Sequence, residues 1–280
     1  MKLTKFSSFT DNSLVNLNDS SLWFSRLEDY NDPFEGKIKI KDSYVASPFE
    51  SKEEAKLLYD EFVAYIKNIK TRNIESDLDF LNEQPELQNK INKMFSFFYR
   101  FFSSISSDLI HGNGYCCFCD EYENAIYNKL MWSHYADGLR GFSLVFDKEE
   151  LHNSLIELND EDALVIEPIE YIDTIPELDL YHQIKNTLIE SESAEHIISD
   201  FWLSCRLTKS SAWGYEKELR AISSHNGKYN FSPESLKEII LGEKMSKEKR
   251  ELIISIAKVK YPHASLHIMK VCEEKYQLVG

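Results

Sequence analysis

Two carboxylates one residue apart, Glu216 and Glu218, stand in the stretch Lys209-Ser210-Ser211-Ala212-Trp213-Gly214-Tyr215-Glu216-Lys217-Glu218-Leu219-Arg220-Ala221-Ile222. On a strand alternate residues share a face. Glu216, Glu218 and Arg220 would then line one side, with Lys217, Leu219 and Ala221 on the other. Such a row is either a solvated edge held by charge pairing or a catalytic carboxylate beside a second acid that shifts its pKa. In the second case one carboxylate stabilises positive charge developing on a sugar while the other orients the attacking group. Lys209 and Trp213 are further candidates for ligand contact in the same stretch.

Two other motifs carry aromatic, carboxylate and imidazole groups. In Met131-Trp132-Ser133-His134-Tyr135-Ala136-Asp137-Gly138-Leu139-Arg140-Gly141, a helical turn puts Trp132 and Tyr135 on a shared face and His134 elsewhere. Three rings within four positions suit either a core edge or a stacking pocket for a flat ligand. The earlier run from Phe24 to Gly36 contains Asn31-Asp32-Pro33-Phe34-Glu35. Asn and Asp beside Pro are ordinary turn formers, and the residue before a proline is pushed out of the helical region. The same corner presents Asn31, Asp32 and Glu35 beside two aromatics, a set able to hydrogen-bond the hydroxyls of a ribose-like ligand.

Cys116-Cys117-Phe118-Cys119 with His111 suggests zinc, but structural thiolate pairs usually leave two or more residues between ligands, and no second pair follows. Neighbouring strand residues face opposite ways, so no metal is expected. A Cys nucleophile working with His134 is a further option, against the plainer reading of a buried thiol. No phosphate-cradling glycine loop is present, and neither Ser25 nor Ser133 has a Gly-x-Ser-x-Gly setting.

The elements that must position these groups read as α+β. Leu22-Trp23-Phe24-Ser25 is β-prone, within a first forty residues of strands and turns. Ser51 with Glu54 opens a helix, in which Ala55, Leu58, Phe62, Tyr65, Ile66 and Ile69 recur at helical spacing. A second helical stretch covers about 86–109. Strands are expected over Tyr115–Cys119, Gly141–Phe146, Leu164–Tyr171, Tyr215–Ser223, Lys237–Leu241 and Leu266–Val271. Helical stretches are expected at Lys129–Ala136, Pro176–Glu190, Ser193–Leu207 and from Ser246 to about Val259. The simplest account is one domain over 1–280, a small mixed or antiparallel sheet with flanking helices and a helical insertion at about 50–110.

Composition bounds the partners. The 280 residues hold 47 acidic against 32 basic side chains, a net charge of −15 that repels a phosphate backbone and argues against general nucleic-acid binding. Hydrophobic residues reach 42% with 17 Phe and 15 Tyr, enough for a core and for a pocket lining. No apolar run is long enough to cross a bilayer, the start lacks a signal-peptide stretch, and five cysteines do not form a secreted framework. A cytoplasmic protein without a membrane partner is expected.

Together the motifs resemble a bacterial family catalogued as domain of unknown function 2971. The residues that carry the resemblance are Leu22 to Glu35, Cys117-Phe118, Met131 to Ala136, Gly141, Lys209, Trp213 to Arg220 and Ile239 to Gly242. More distantly, the order of features is similar to the ADP-ribosyltransferase superfamily. That similarity implies an ADP-ribosyltransferase-like sheet and NAD as substrate. It implies ADP-ribosyl transfer to an acceptor macromolecule, in the role of a bacterial toxin or phage-defence effector. Glu218 would be the catalytic carboxylate and Glu216 would position the acceptor. Trp132 and Tyr135 would stack the nicotinamide, and Ser25 would support the glutamate. Where the superfamily has an early Arg or His, this chain has Lys5-Phe6. Two alternatives share the site: a sensor that binds a nucleotide-like ligand without chemistry, and a nuclease or phosphodiesterase using Asp32, Glu35, Glu216 and Glu218 as metal ligands.

Overall fold

The computed structural model describes residues 1–41, 51–68, 86, 89–96, 99–100, 112–179, 181–182, 185, 203 and 205–280. In chain order the strands are β1 (Lys2–Ser7), β2 (Ser21–Phe24), β3 (Lys39–Lys41), β4 (Gly114–Cys119), β5 (Phe142–Asp147), β6 (Val165–Pro168) and β7 (Glu170–Ile172). They continue as β8 (Glu177–Asp179), β9 (Thr208–Ser210), β10 (Glu218–Ser223), β11 (Gly227–Asn230), β12 (Leu236–Gly242), β13 (Ser265–Val271) and β14 (Leu278–Val279). Among the helices are α1 (Asp11–Asn18), α2 (Lys52–Asn68), α3 (Tyr122–Ile126), α4 (Lys129–Tyr135), α5 (Lys148–Glu157) and α6 (Lys247–Lys260). The class is mixed α+β around a central mixed sheet.

Two compact units form: Met1–Glu35, His111–Asp173 and Lys209–Gly280 make the first, Gly36–Ile110 and Thr174–Thr208 the second. The first is built on an eight-stranded sheet in the order β14-β13-β12-β5-β1-β4-β10-β6. Neighbours are antiparallel except β12 and β13, which run parallel through the α6 crossover. One face buries Leu3, Phe118, Leu144, Phe146, Leu219, Ile239 and Leu241 under α5 and α6, whose Leu151, Leu155 and Ile253 join the same cluster. The other packs Phe6, Cys119, Val145 and Ile240 against Met131 and Trp132 of α4.

The middle of the sheet opens. β1 registers along its whole length with β5, from Lys2 with Asp147 to Ser7 with Phe142. It meets β4 in the single pair Thr4 with Cys119. Where β1 and β4 part, the ladder leaves a carbonyl to be satisfied from elsewhere. The Lys5 ammonium donates to the Cys117 carbonyl at 3.3 Å.

In the second unit α2 starts as its sequence suggests, the Glu54 N–H donating to Ser51 Oγ at 3.1 Å. Ala55, Leu58 and Phe62 are buried as the spacing implied. The side chains of Tyr65, Ile66 and Ile69 lie outside the described residues. Residues 89–96 are helical, while most of the remainder of the expected 86–109 stretch, with His111, is outside the described set.

Three readings are corrected. The strand expected over Tyr215–Ser223 begins only at Glu218, because Ser211–Glu216 forms a 3-10 helix and Lys217 takes a left-handed φ of 46°. Pro176–Glu190 does not open as a helix, since Glu177–Asp179 pairs in parallel with β3. Of the rest of that stretch only Tyr181, His182 and Lys185 are described, all three helical, and most of Ser193–Leu207 lies outside the described residues. The first forty residues also hold a helix, α1, capped by a reciprocal pair in which the Ser13 N–H donates to Thr10 Oγ1 and the Thr10 N–H to Ser13 Oγ.

Candidate active site

The site grows from the start of β10. Glu218 opens that strand, its N–H donating to the Tyr171 hydroxyl at 2.8 Å and its carbonyl accepting from Ile169 N at 3.0 Å. Its side chain is 2% exposed, between two cations. Arg220 Nε donates to Oε1 at 2.7 Å, and Lys209 Nζ donates to Oε2 at 3.1 Å. Lys209 comes from β9, which pairs with β7, and lies 4.9 Å from the centre of the Trp213 ring. The same ammonium donates to Glu216 Oε2 at 2.7 Å and lies 3.4 Å from Glu35 Oε1. Glu35 closes the network with a two-pronged pair to Arg220, both contacts 3.0 Å. Three carboxylates and two cations are thus locked together out of water.

The three motifs meet here. Glu35 brings the first to Arg220. Tyr135 brings the second, its hydroxyl donating to Glu216 Oε1. Its helix α4 is aimed by Asn128, whose Oδ1 caps Leu130 N at 3.0 Å while its Nδ2 donates to the Tyr215 carbonyl at 2.8 Å. After α4 the chain must turn back tightly. Asp137, Gly138 and Leu139 all adopt positive φ, and a Cβ on Gly141 would stand 2.2 Å from the Ser7 carbonyl oxygen, which is why glycine is needed there.

A cavity of about 320 Å³ opens on this network, at the parting of β1 and β4. Lys209, Glu216, Glu218, Tyr135, Ser25 and Asn31 line it among the sequence-nominated residues, joined by Thr4, Lys5, Tyr30 and Cys117. Ser25 is fixed there by backbone pairing with Tyr115 at 2.8 and 2.9 Å. The Tyr30 hydroxyl lies 3.0 Å from Cys117 Sγ.

Electrostatics separate the two glutamates. Burial pushes both carboxyls up. For Glu218 the Arg220 and Lys209 charges outweigh burial and hold the pKa at about 2. Glu216 has Lys209 and the Tyr135 hydroxyl but no guanidinium, so burial prevails and its pKa is raised. Burial lowers the Lys209 ammonium, but Glu218, Glu216 and Glu35 more than restore it, so it remains charged. Neighbouring carboxyls whose environments drive their pKa values apart are a common arrangement for acid–base division of labour.

Other nominated residues lie elsewhere. Trp132 is 1% exposed, donates its indole N–H to the Ile126 carbonyl at 2.6 Å and packs edge-on against Phe6. Helical spacing from Tyr135 carries it into the core instead of the cavity, which removes it as a ring stacker. His134 is exposed, 6.2 Å from the Tyr215 ring centre. Asp32 is buried but serves its own turn, accepting from Phe34 N at 2.9 Å. Glu35 contacts cations instead of facing the cavity. Burial raises the thiols of Cys116, Cys117 and Cys119, which disfavours a thiolate nucleophile. Among the described residues no cluster of His, Cys, Asp or Glu is arranged to hold a metal ion. Tyr30 falls inside the first motif as one of its two aromatics, whereas Thr4 and Tyr171 gave no signal in the sequence, since each stands alone in a run without a motif.

Much of this assembly falls in one recognisable stretch. Residues 131–221 match a family model described as Protein of unknown function (DUF2971). No curated protein and no solved structure matches the chain. The DUF2971 segment contains Tyr135, Lys209, Glu216, Glu218 and Arg220, whereas Glu35 and the β1 residues lie outside it. Among the described residues no helix is long and apolar enough to cross a membrane.

Proposed function

We propose that the chain is an enzyme that cleaves an N-glycosidic bond of a nucleotide-like substrate, with NAD as donor and ADP-ribose as the group transferred. The observation that carries the reading is the pair Glu216 and Glu218, both lining one cavity with pKa values driven in opposite directions. Glu218, held ionised, sits where positive charge develops on the ribose as the bond to the ring nitrogen breaks. The bonding electron pair leaves with the nitrogen and neutralises the pyridinium, so nicotinamide departs without needing a proton. Glu216, the more basic carboxylate, takes the proton of the attacking acceptor or water as the new bond to the anomeric carbon forms. Lys5 supports the reading from the other side of the cavity. It is a cation with no carboxylate within 4 Å among the described residues and is available to the anionic part of a dinucleotide.

The test is incubation of the purified protein with NAD, with and without cell extract, following nicotinamide release and label transfer. Release that disappears in Glu218→Gln supports the assignment, and the labelled species identifies the acceptor. Stoichiometric binding of NAD with nothing released would make the site a sensor. No release and no rise in melting temperature with NAD would remove the dinucleotide.

A further inference from the structure

One residue of the cavity wall is polar, buried and unserved. Thr4 is 0% exposed, and its Oγ1 has no hydrogen-bond partner among the described residues. Ser143 Oγ and Arg250 Nε in the same unit are also unpaired, but neither lines the cavity; Thr4 does. A hydroxyl shut away from water without a partner costs stability, and valine would fill the same space without that cost.

The register of the sheet relates Thr4 to the reacting centre. Cys119 on β4 is paired with Thr4 on one side and with Glu218 on the other. Directly opposed residues in adjacent strands share a face. Thr4, Cys119 and Glu218 therefore form one row across three strands, with Thr4 about 10 Å from Glu218, two strand spacings. A six-membered ring whose bond is broken beside Glu218, with one polar substituent turned toward β1, spans that row.

We propose that Thr4 is a specificity residue, its hydroxyl hydrogen-bonding a polar substituent on the ring of the leaving group. This rests on the glycosidic reading above and narrows its substrate class to rings that carry an amide-like group. A ring without that group would leave the Thr4 hydroxyl unpaired against the ligand, and buried polar groups left unpaired are what make such sites selective.

The experiment compares two cations of the same ring, N-methylnicotinamide and N-methylpyridinium, in binding titrations on the wild-type chain, Thr4→Val and Thr4→Ser. The KM for NAD is measured on each as well. The wild type should prefer the carboxamide-bearing cation by about 10-fold or more. Thr4→Val should bring the two toward parity without weakening N-methylpyridinium, and should raise the KM for NAD by about the same factor. Thr4→Ser should keep the preference. The thermal midpoint of Thr4→Val should be at or above that of the wild type, since it removes an unpaired hydroxyl; should valine crowd the strand, Thr4→Ala serves in its place. NAD cleavage with unchanged KM, or a preference that survives loss of the hydroxyl, would overturn the role of Thr4 and leave the enzyme reading standing. Failure of the wild type to bind either cation or to cleave NAD would bring down the reading and the inference together.

Discussion

Glu161 and Glu218 are both buried glutamates held ionised, and they illustrate two uses of the same side chain. Glu161 sits beside the β10–β11 hairpin and is served by neutral donors. Ser224 Oγ donates to it at 2.5 Å, the Tyr229 hydroxyl at 3.0 Å and Ser224 N at 3.3 Å. Burial raises its pKa, but those hydrogen bonds outweigh it and the net shift is downward. With His225 3.6 Å away, the cluster contains the residue types of a hydrolytic triad. Its geometry closes on itself: the serine donates to the glutamate, the histidine is 65% exposed, and none of the four residues lines the cavity. Glu218 is instead held by two charges that leave it beside an open space. Residue type alone does not separate an anchor from a reagent; the kind of partner and the space in front of it do.

The contrast is tested most sharply by removing each charge in turn. Glu218→Gln should lower nicotinamide release by about 100-fold or more, since it removes the anion facing the developing cation. Glu161→Gln should leave kcat and KM within about twofold and instead destabilise the fold by about 1–3 kcal/mol, the cost of disturbing a satisfied buried acceptor. Steady-state kinetics and denaturant titration of both variants decide it. Equal losses of turnover would mean that the hairpin cluster belongs to the site.

The next effect is one of stability. Replacing Lys209 with methionine would leave Glu35 and Glu218 with Arg220 and Glu216 with only the Tyr135 hydroxyl, and breaking a buried ionic network in this way costs about 3–5 kcal/mol. Lys228, whose pair with Asp19 is 41% and 37% exposed, should cost at most about 1 kcal/mol on the same replacement. Urea unfolding of the two variants compares them. A Lys209→Met cost below that of Lys228→Met would show that the network is not closed to water.

How much of this was readable beforehand differs between the sheet and the site. The strands over Tyr115–Cys119, Lys237–Leu241 and Leu266–Val271 and the helix capped by Ser246 were legible because their patterning is continuous. In α6 the Lys249 N–H donates to Ser246 Oγ at 3.4 Å, as the sequence suggests. The carboxylate row was nominated on the assumption of one strand through Glu216, and the backbone does otherwise. Glu216 still reaches Lys209 because the left-handed Lys217 turns the chain between the two glutamates. Glu35 was visible as an acid beside aromatics, yet its partner Arg220 lies 185 residues away, and no local pattern reports a pairing at that separation. Trp132 misled for a related reason: a helical face shared with Tyr135 does not say where the face stops being pocket and becomes core. Thr4 was silent, since a lone hydroxyl in a strand carries no spacing signal until its missing partner can be seen.

The smallest effect concerns Glu216, the glutamate that burial leaves more basic. Its carboxylate receives the Tyr135 hydroxyl and the Lys209 ammonium, and both contacts favour the ionised form. A raised pKa in the folded state means that the contribution of Glu216 to stability is present below its unfolded value and lost as pH rises through the folded one. Removing a donor to the anion raises that folded value further. Tyr135→Phe should therefore shift the acid limb of the pH profile of kcat/KM upward, by on the order of one pH unit. Turnover should be hurt most at low pH and recover as pH rises, since Glu216 must be ionised to accept the proton of the attacking group. A downward shift would contradict Glu216 as the base. An unshifted limb with a uniformly lower rate would assign Tyr135 to shaping the cavity alone.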